Sequence, residues 1–134
     1  MSIEQMVHYQ SKLAFEMDSW DVFVALKNND PVVIVDGRSA EAYQQEHIPG
    51  ALNLWHKALC FNNTETLDKS KIYVCYCDGI GCNASTKTAL KLLTLGFQVR
   101  ELIGGLDWWR RDGYQTEGTK GQDCLLYTSP SPRD

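Results

Sequence analysis

Strand-like and helix-like segments alternate along this chain. That alternation predicts an α/β protein with a mainly parallel central sheet and helices on both faces. Two stretches carry the prediction. Val32-Val33-Ile34-Val35 is a continuous β-branched run, as expected of a strand buried on both sides. Ile72-Tyr73-Val74-Cys75-Tyr76 is a second apolar run, followed by a Gly-rich segment and then a helical apolar period.

The elements between them follow in order. Residues 6–17 suggest a helix, with a short strand near Leu13 to Phe15. Asp18 is a good N-cap, with Asp21 in the capping-box position, and Val22, Phe23, Ala25 and Leu26 give an apolar face up to Lys27. Asn28-Asn29-Asp30-Pro31 ends that helix, and Ser39 caps a short one over Ala40 to Gln45. His47-Ile48-Pro49-Gly50 reads as a turn and Ala51 to Leu54 as a short strand, while residues 55–70 are irregular and polar. Ala84, Thr88, Leu92 and Leu95 recur at helical spacing, with Ala89 and Leu93 widening the stripe and Gly96 as the stop. A last strand spans Gln98 to Ile103. Gly104-Gly105 precedes a final helix, Leu106 to Arg111, ended by Gly113.

The chain has 134 residues, 43% of them hydrophobic, which suits one domain with a buried core. No apolar run approaches the roughly 20 residues that span a bilayer. Met1 to Gln10 shows neither a basic patch nor an apolar stretch, so no signal peptide is expected and a cytoplasmic location is the default. The net charge is −4 and the Lys and Arg residues are scattered, which argues against a nucleic-acid partner. The five cysteines would stay thiols in a reducing compartment. Their spacing fits no zinc pattern, so no metal is expected.

Residues 124–134, Cys124-Leu-Leu-Tyr-Thr-Ser-Pro-Ser-Pro-Arg-Asp134, differ in character from the rest and resemble a translated sequencing adapter. They are set aside as a non-native tail, leaving a single domain over 1–123.

In a parallel sheet, ligands bind beyond the carboxyl ends of the strands, where Asp36 and Cys77 both fall. Cys77 opens a loop, Asp78-Gly79-Ile80-Gly81-Cys82-Asn83-Ala84, that leads into a helix. Glycines let such a loop turn N–H groups inward, and a helix N-terminus adds unsatisfied donors. An anion is comfortable at the centre of such a nest. The expectation is a Cys77 thiol with a lowered pKa, in a nest that would hold the outer sulfur of a persulfide or a tetrahedral oxyanion; the alternative is a small buried residue at a strand end.

Asp36-Gly37-Arg38 with Glu41 and Tyr43, then His47-Ile48-Pro49-Gly50-Ala51, then Tyr76-Cys77 before a loop, then Leu95-Gly96-Phe97, then Gly104-Gly105-Leu106 with Trp108 or Trp109: this series resembles the rhodanese superfamily over roughly residues 12–118. The resemblance implies a parallel five-stranded sheet, Cys77 as nucleophile after the fourth strand, and sulfur transfer through a Cys77 persulfide. The partners implied are a small sulfur donor or a persulfidated protein, and a thiol acceptor. The chemistry is covalent and needs no metal or organic cofactor.

Two departures from the family pattern bear on substrate. The loop is about two residues longer than the compact form, which widens a backbone nest. It also lacks Arg and Lys, with Asn83 or Ala84 where phosphatase relatives place an Arg, and it carries Asp78. That opposes a phosphatase and free thiosulfate, and favours a persulfide donor. The alternatives are an arsenate-reductase- or phosphatase-like oxyanion enzyme and a non-catalytic binding module. Asp36 is expected to hold the loop's shape by accepting its backbone hydrogen bonds, and Arg38 to pair with Glu41. His47 and the tryptophans Trp20, Trp108 and Trp109 are read as structural, one of the last two bordering the pocket. Cys75 is read as core. Cys82 is a spectator or a resolving thiol for Cys77.

Overall fold

The computed structural model describes residues 2–125. Strands β1 (Glu16–Met17), β2 (Val32–Asp36), β3 (Leu52–Asn53), β4 (Ile72–Tyr76) and β5 (Gln98–Leu102) form one sheet in the order β1-β5-β4-β2-β3. Every adjacent pair is parallel, as the β-branched runs and the resemblance both lead one to expect.

Alternation along the central strands divides the core in two. Ile34, Val74 and Tyr76 face one side, packing with Val22 and Ala25 of α2 (Ser19–Lys27) and Leu106 and Trp109 of α5 (Gly105–Arg111). Val35, Tyr73 and Cys75 face the other side, against Ala89 and Leu92 of α4 (Ala84–Thr94). Leu93 does not widen the α4 stripe as its spacing suggests. It is 56% exposed, because the i+1 neighbour of Leu92 turns away from the sheet.

The capping box of Asp18 and Asp21 is present, and Ser39 caps α3 (Ala40–Gln45). The N-terminal reading needs correction. Helix α1 covers Ile3–Phe15, starting where Ser2 caps the Gln5 amide, and it absorbs the expected strand at 13–15. None of its residues is buried. Strand β1 follows it, fixed by the pairs Glu16↔Glu101 and Met17↔Leu102, a register that no local pattern reveals. Of the tail set aside from the sequence, Cys124 and Leu125 are described, and the Leu125 amide donates to the Gly113 carbonyl at 2.7 Å. Residues 126–134 lie outside the described residues. Among the described residues no helix is long and apolar enough to cross a membrane.

Candidate active site

β2 and β4 are neighbours with Asp36 and Tyr76 in register, so the turns that leave them lie side by side at one rim of the sheet. The Gly37 amide ties the two by donating to the Tyr76 carbonyl at 2.9 Å.

The first turn is an ion-pair network. Asp36 is fully buried, and a buried carboxylate needs partners. It accepts from the Arg38 amide (2.9 Å), from Arg38 Nη2 (2.8 Å) and Nε (3.0 Å), and from the Tyr76 hydroxyl (2.9 Å). Burial works against the charge of Arg38, but hydrogen bonds to Asp36 and the field of its carboxylate, with help from Asp78, overcome this and push its pKa up. Asn53 Nδ2 donates to the Arg38 carbonyl at 2.8 Å and closes the turn. The expected roles shift accordingly. Asp36 serves the amide of its own turn and the guanidinium rather than the backbone of the cysteine loop. Arg38 does not pair with Glu41, which lies exposed on α3. Instead its Nη1 reaches across to Asp78 Oδ1 at 3.0 Å. A cation therefore stands beside the acidic loop residue after all, supplied from a position 40 residues away.

The second turn begins at Cys77. The start of α5 pins its backbone, with the Leu106 amide donating to the Cys77 carbonyl (2.9 Å) and the Asp107 amide to the Asp78 carbonyl (2.8 Å). This packing explains the double glycine. Gly105 has φ +57, and a β-carbon there would strike the Cys77 carbonyl oxygen and come within 2.9 Å of the Gly79 nitrogen. Ile80 forms the loop's outer tip, 83% exposed. The Cys82 amide donates to the Gly79 carbonyl at 3.1 Å, so Gly79 to Cys82 folds back as a turn with Gly81 inside it. Asn83 occupies the N-cap of α4 without a capping hydrogen bond, and Ala84 is already helical rather than part of the loop.

The Cys77 side chain faces this loop, although the residue is only 2% exposed. Its Sγ lies 3.2 Å from the Cys82 carbonyl oxygen and 3.5 Å from Ser85 Oγ. Burial pushes its pKa up, and the adjacent Cys82 side chain adds to this, while the Ser85 hydroxyl and amide pull the other way. The net direction is upward, opposite to the one expected from a nest alone. The reason is local. Burial of the sulfur is the largest influence, the Cys82 side chain adds to it, and hydrogen bonds from Ser85 alone do not outweigh them.

Ser85 also belongs to the site, although the sequence pattern does not single it out. Its hydroxyl lies 3.2 Å from Glu101 Oε2, and Thr86 Oγ1 donates to the same oxygen at 2.9 Å. A chain thus runs from thiol to hydroxyl to carboxylate. The one local signal for Ser85 is its place in the first turn beyond the loop. Glu101 sits on β5 and can be found only through the sheet register. Cys75 is fully buried, and burial, then the charge of Glu101, push its pKa far up, so it is a core thiol. His47 Nδ1 lies 2.7 Å from the Tyr43 carbonyl and its ring stacks on Tyr43. Trp109 is buried, its Nε1 donating to the Gln115 carbonyl. Trp108 is half-exposed beneath Arg111. No cluster of His, Cys, Asp and Glu among the described residues is arranged to hold a metal ion.

A five-stranded parallel sheet, with a buried cysteine opening the loop after β4 and a double-glycine helix start packed on that loop, defines the class of α/β protein to which the chain belongs. The model of the rhodanese-like domain matches residues 19–112, and the chain belongs to that family. It is 35% identical over 96 residues to the thiosulfate sulfurtransferase GlpE of Coxiella burnetii, covering 70% of this chain and 82% of that protein. The crystal structure of the BH2092 protein of Bacillus halodurans is similar at a TM-score of 0.84 and 39% identity, covering 94% of this chain and 93% of that one. The rhodanese-like domain of the Anabaena Alr3790 protein is similar at a TM-score of 0.70 and 26% identity, covering 89% and 87%.

Proposed function

We propose that the protein is a sulfurtransferase that carries sulfane sulfur as a persulfide on Cys77. The observation that carries the reading is the thiol–hydroxyl–carboxylate chain Cys77–Ser85–Glu101 at the head of α4. A cysteine whose pKa is pushed up needs a route for its proton before it can attack. Ser85 passes the proton toward Glu101 and its hydroxyl and amide then face the thiolate.

The thiolate attacks the outer sulfur of a donor. With thiosulfate, the donor's S–S bond breaks, sulfite leaves with the electron pair, and Cys77 keeps the sulfur as a persulfide. Backbone amides between Cys77 and the first turn of α4, that of Ser85 among them, hold the terminal sulfur. A nucleophile, a thiol in the cell or cyanide in an assay, then removes it and regenerates Cys77. The pairing of Arg38 with Asp78 reduces the repulsion that Asp78 alone would exert on an anionic donor, so thiosulfate and small persulfides are both admitted. A phosphatase reading is not supported by Arg38, because Asp36, Asp78 and the Glu46 carbonyl already occupy its guanidinium. The partners of this function are a sulfane-sulfur donor and a thiol acceptor.

The test is thiocyanate formation from thiosulfate, or from glutathione persulfide, with cyanide as acceptor. Turnover is expected from the wild type and lost in Cys77→Ser. Equal thiocyanate from both proteins, or none from the wild type with either donor, rules the reading out.

A further inference from the structure

Cys82 is the second thiol of the site, and the transfer reaction above has no use for it. Its position follows from the loop. The turn closed by the Cys82 amide on the Gly79 carbonyl brings residue 82 back over the nucleophile, with its carbonyl oxygen 3.2 Å from Cys77 Sγ. The two side chains are near enough for Cys82 to perturb the titration of Cys77. Cys82 is half-buried, whereas the nucleophile is buried. Two of the four residues between the cysteines, Gly79 and Gly81, are glycines and none is proline, which leaves the backbone of this turn room to flex for the sulfurs to meet. Of the other three cysteines, Cys75 is sealed in the core, Cys60 is exposed in a segment whose amide and carbonyl bonds go to Asn63 and Thr64, and Cys124 is exposed near Tyr114.

We propose that Cys82 resolves the Cys77 persulfide within the same loop, releasing hydrogen sulfide and leaving a Cys77–Cys82 disulfide. This inference rests on the persulfide reading above. The Cys82 thiolate attacks Sγ of Cys77, the inner sulfur of the persulfide. The bond from Sγ to the outer sulfur breaks, and the outer sulfur leaves with the electron pair as hydrosulfide. The sulfane sulfur is the oxidant. It is reduced by two electrons while the two cysteines are oxidised to the disulfide, so no other oxidant is consumed. Hydrosulfide is a good leaving group, and a thiol five residues away acts at high effective concentration. The disulfide is then reset by a dithiol reductant, one equivalent per sulfur. The extended loop thereby gives the protein a second output, sulfide, which competes with delivery of intact sulfane sulfur to an external thiol.

The experiment is a single turnover with thiosulfate, in the absence of added thiol, on the full chain and on Cys82→Ser. Released sulfide is measured, and the peptide 72–87, which contains Cys75, Cys77 and Cys82 between Lys71 and Lys87, is weighed after alkylation. The wild type should release one sulfide per chain and yield that peptide lighter by two hydrogens, with Cys77 and Cys82 protected from alkylation. Cys82→Ser should release none and retain one sulfur on Cys77. Cys60→Ser should behave as wild type. If the wild type retains its added sulfur as durably as Cys82→Ser, the inference is overturned and the persulfide reading stands. If neither protein gains sulfur or releases sulfide, both fail.

Discussion

The turns after β2 and β4 leave the same rim of the sheet from neighbouring strands, yet they are built in opposite ways. After β2 a carboxylate without solvent exposure is surrounded by donors, and each bond fixes another side chain. After β4 a nearly buried sulfur meets a carbonyl, a hydroxyl, an amide and a second thiol, none of which neutralises a charge. The first turn holds shape because a buried ion pair cannot lose one partner cheaply. The second has no ion pair of its own around the sulfur. The Arg38–Asp78 bridge joins the two turns.

The largest effect should come from emptying the rigid turn. Asp36→Ala takes from the buried Arg38 guanidinium its main counter-charge, leaving only the exposed Asp78 and the Glu46 carbonyl, and urea denaturation should show a loss of about 3–5 kcal/mol. A loss under about 1 kcal/mol would mean that the network contributes little to holding the rim.

Elements set by neighbours along the chain are legible in the amino-acid sequence. The Asp18–Asp21 box, the Ser39 cap, the β-branched β2 and the stop at Gly96 each depend on contacts within a few residues. Cys77 and its loop are legible for the same reason, since strand, glycines and helix start are contiguous. What cannot be read this way crosses the sheet. Arg38 reaches Asp78 and Ser85 reaches Glu101 only because β2, β4 and β5 are ordered as neighbours. The local alternative, Arg38 with Glu41, fails because the buried Asp36 competes for the same guanidinium. The direction of the Cys77 pKa is hidden as well, because a loop's sequence does not say how deeply the sulfur will be buried.

A next-smaller effect sharpens how the two turns are locked against α5. Gly105→Ala combines a positive φ with a collision at the Cys77 carbonyl, and should cost about 1–3 kcal/mol of stability in the same denaturation assay. Within the reactive turn, Ser85→Ala and Glu101→Gln should each slow persulfide formation about 10- to 100-fold at neutral pH, measured as sulfite release from thiosulfate. Both should recover toward wild type as pH rises, because solvent then removes the proton the chain normally carries. Undiminished rates at neutral pH would dismiss the relay.

The pH dependence follows from the upward shift. A thiol whose pKa is raised is less ionised at neutral pH than a free cysteine, so iodoacetamide labelling of Cys77 should keep rising through the alkaline range where free cysteine has levelled off. Cys82→Ser removes one of the raising influences and should move that profile to lower pH. Labelling that is already maximal near neutrality would contradict the environment described for Cys77. The smallest effect is expected at the bridge itself. Asp78 is 72% exposed, so Asp78→Ala should change stability by less than about 1 kcal/mol. The KM for thiosulfate should fall, because Arg38 is then released toward an anionic donor.

The central claim is that sulfur resides covalently on residue 77. Mass measurement of the Cys82→Ser protein after exposure to thiosulfate or glutathione persulfide, and removal of the donor, tests it most directly. One added sulfur located to peptide 72–87, and absent when Cys77 is also changed to Ser, is the predicted result. No added mass with either donor, or the same gain without Cys77, would contradict it.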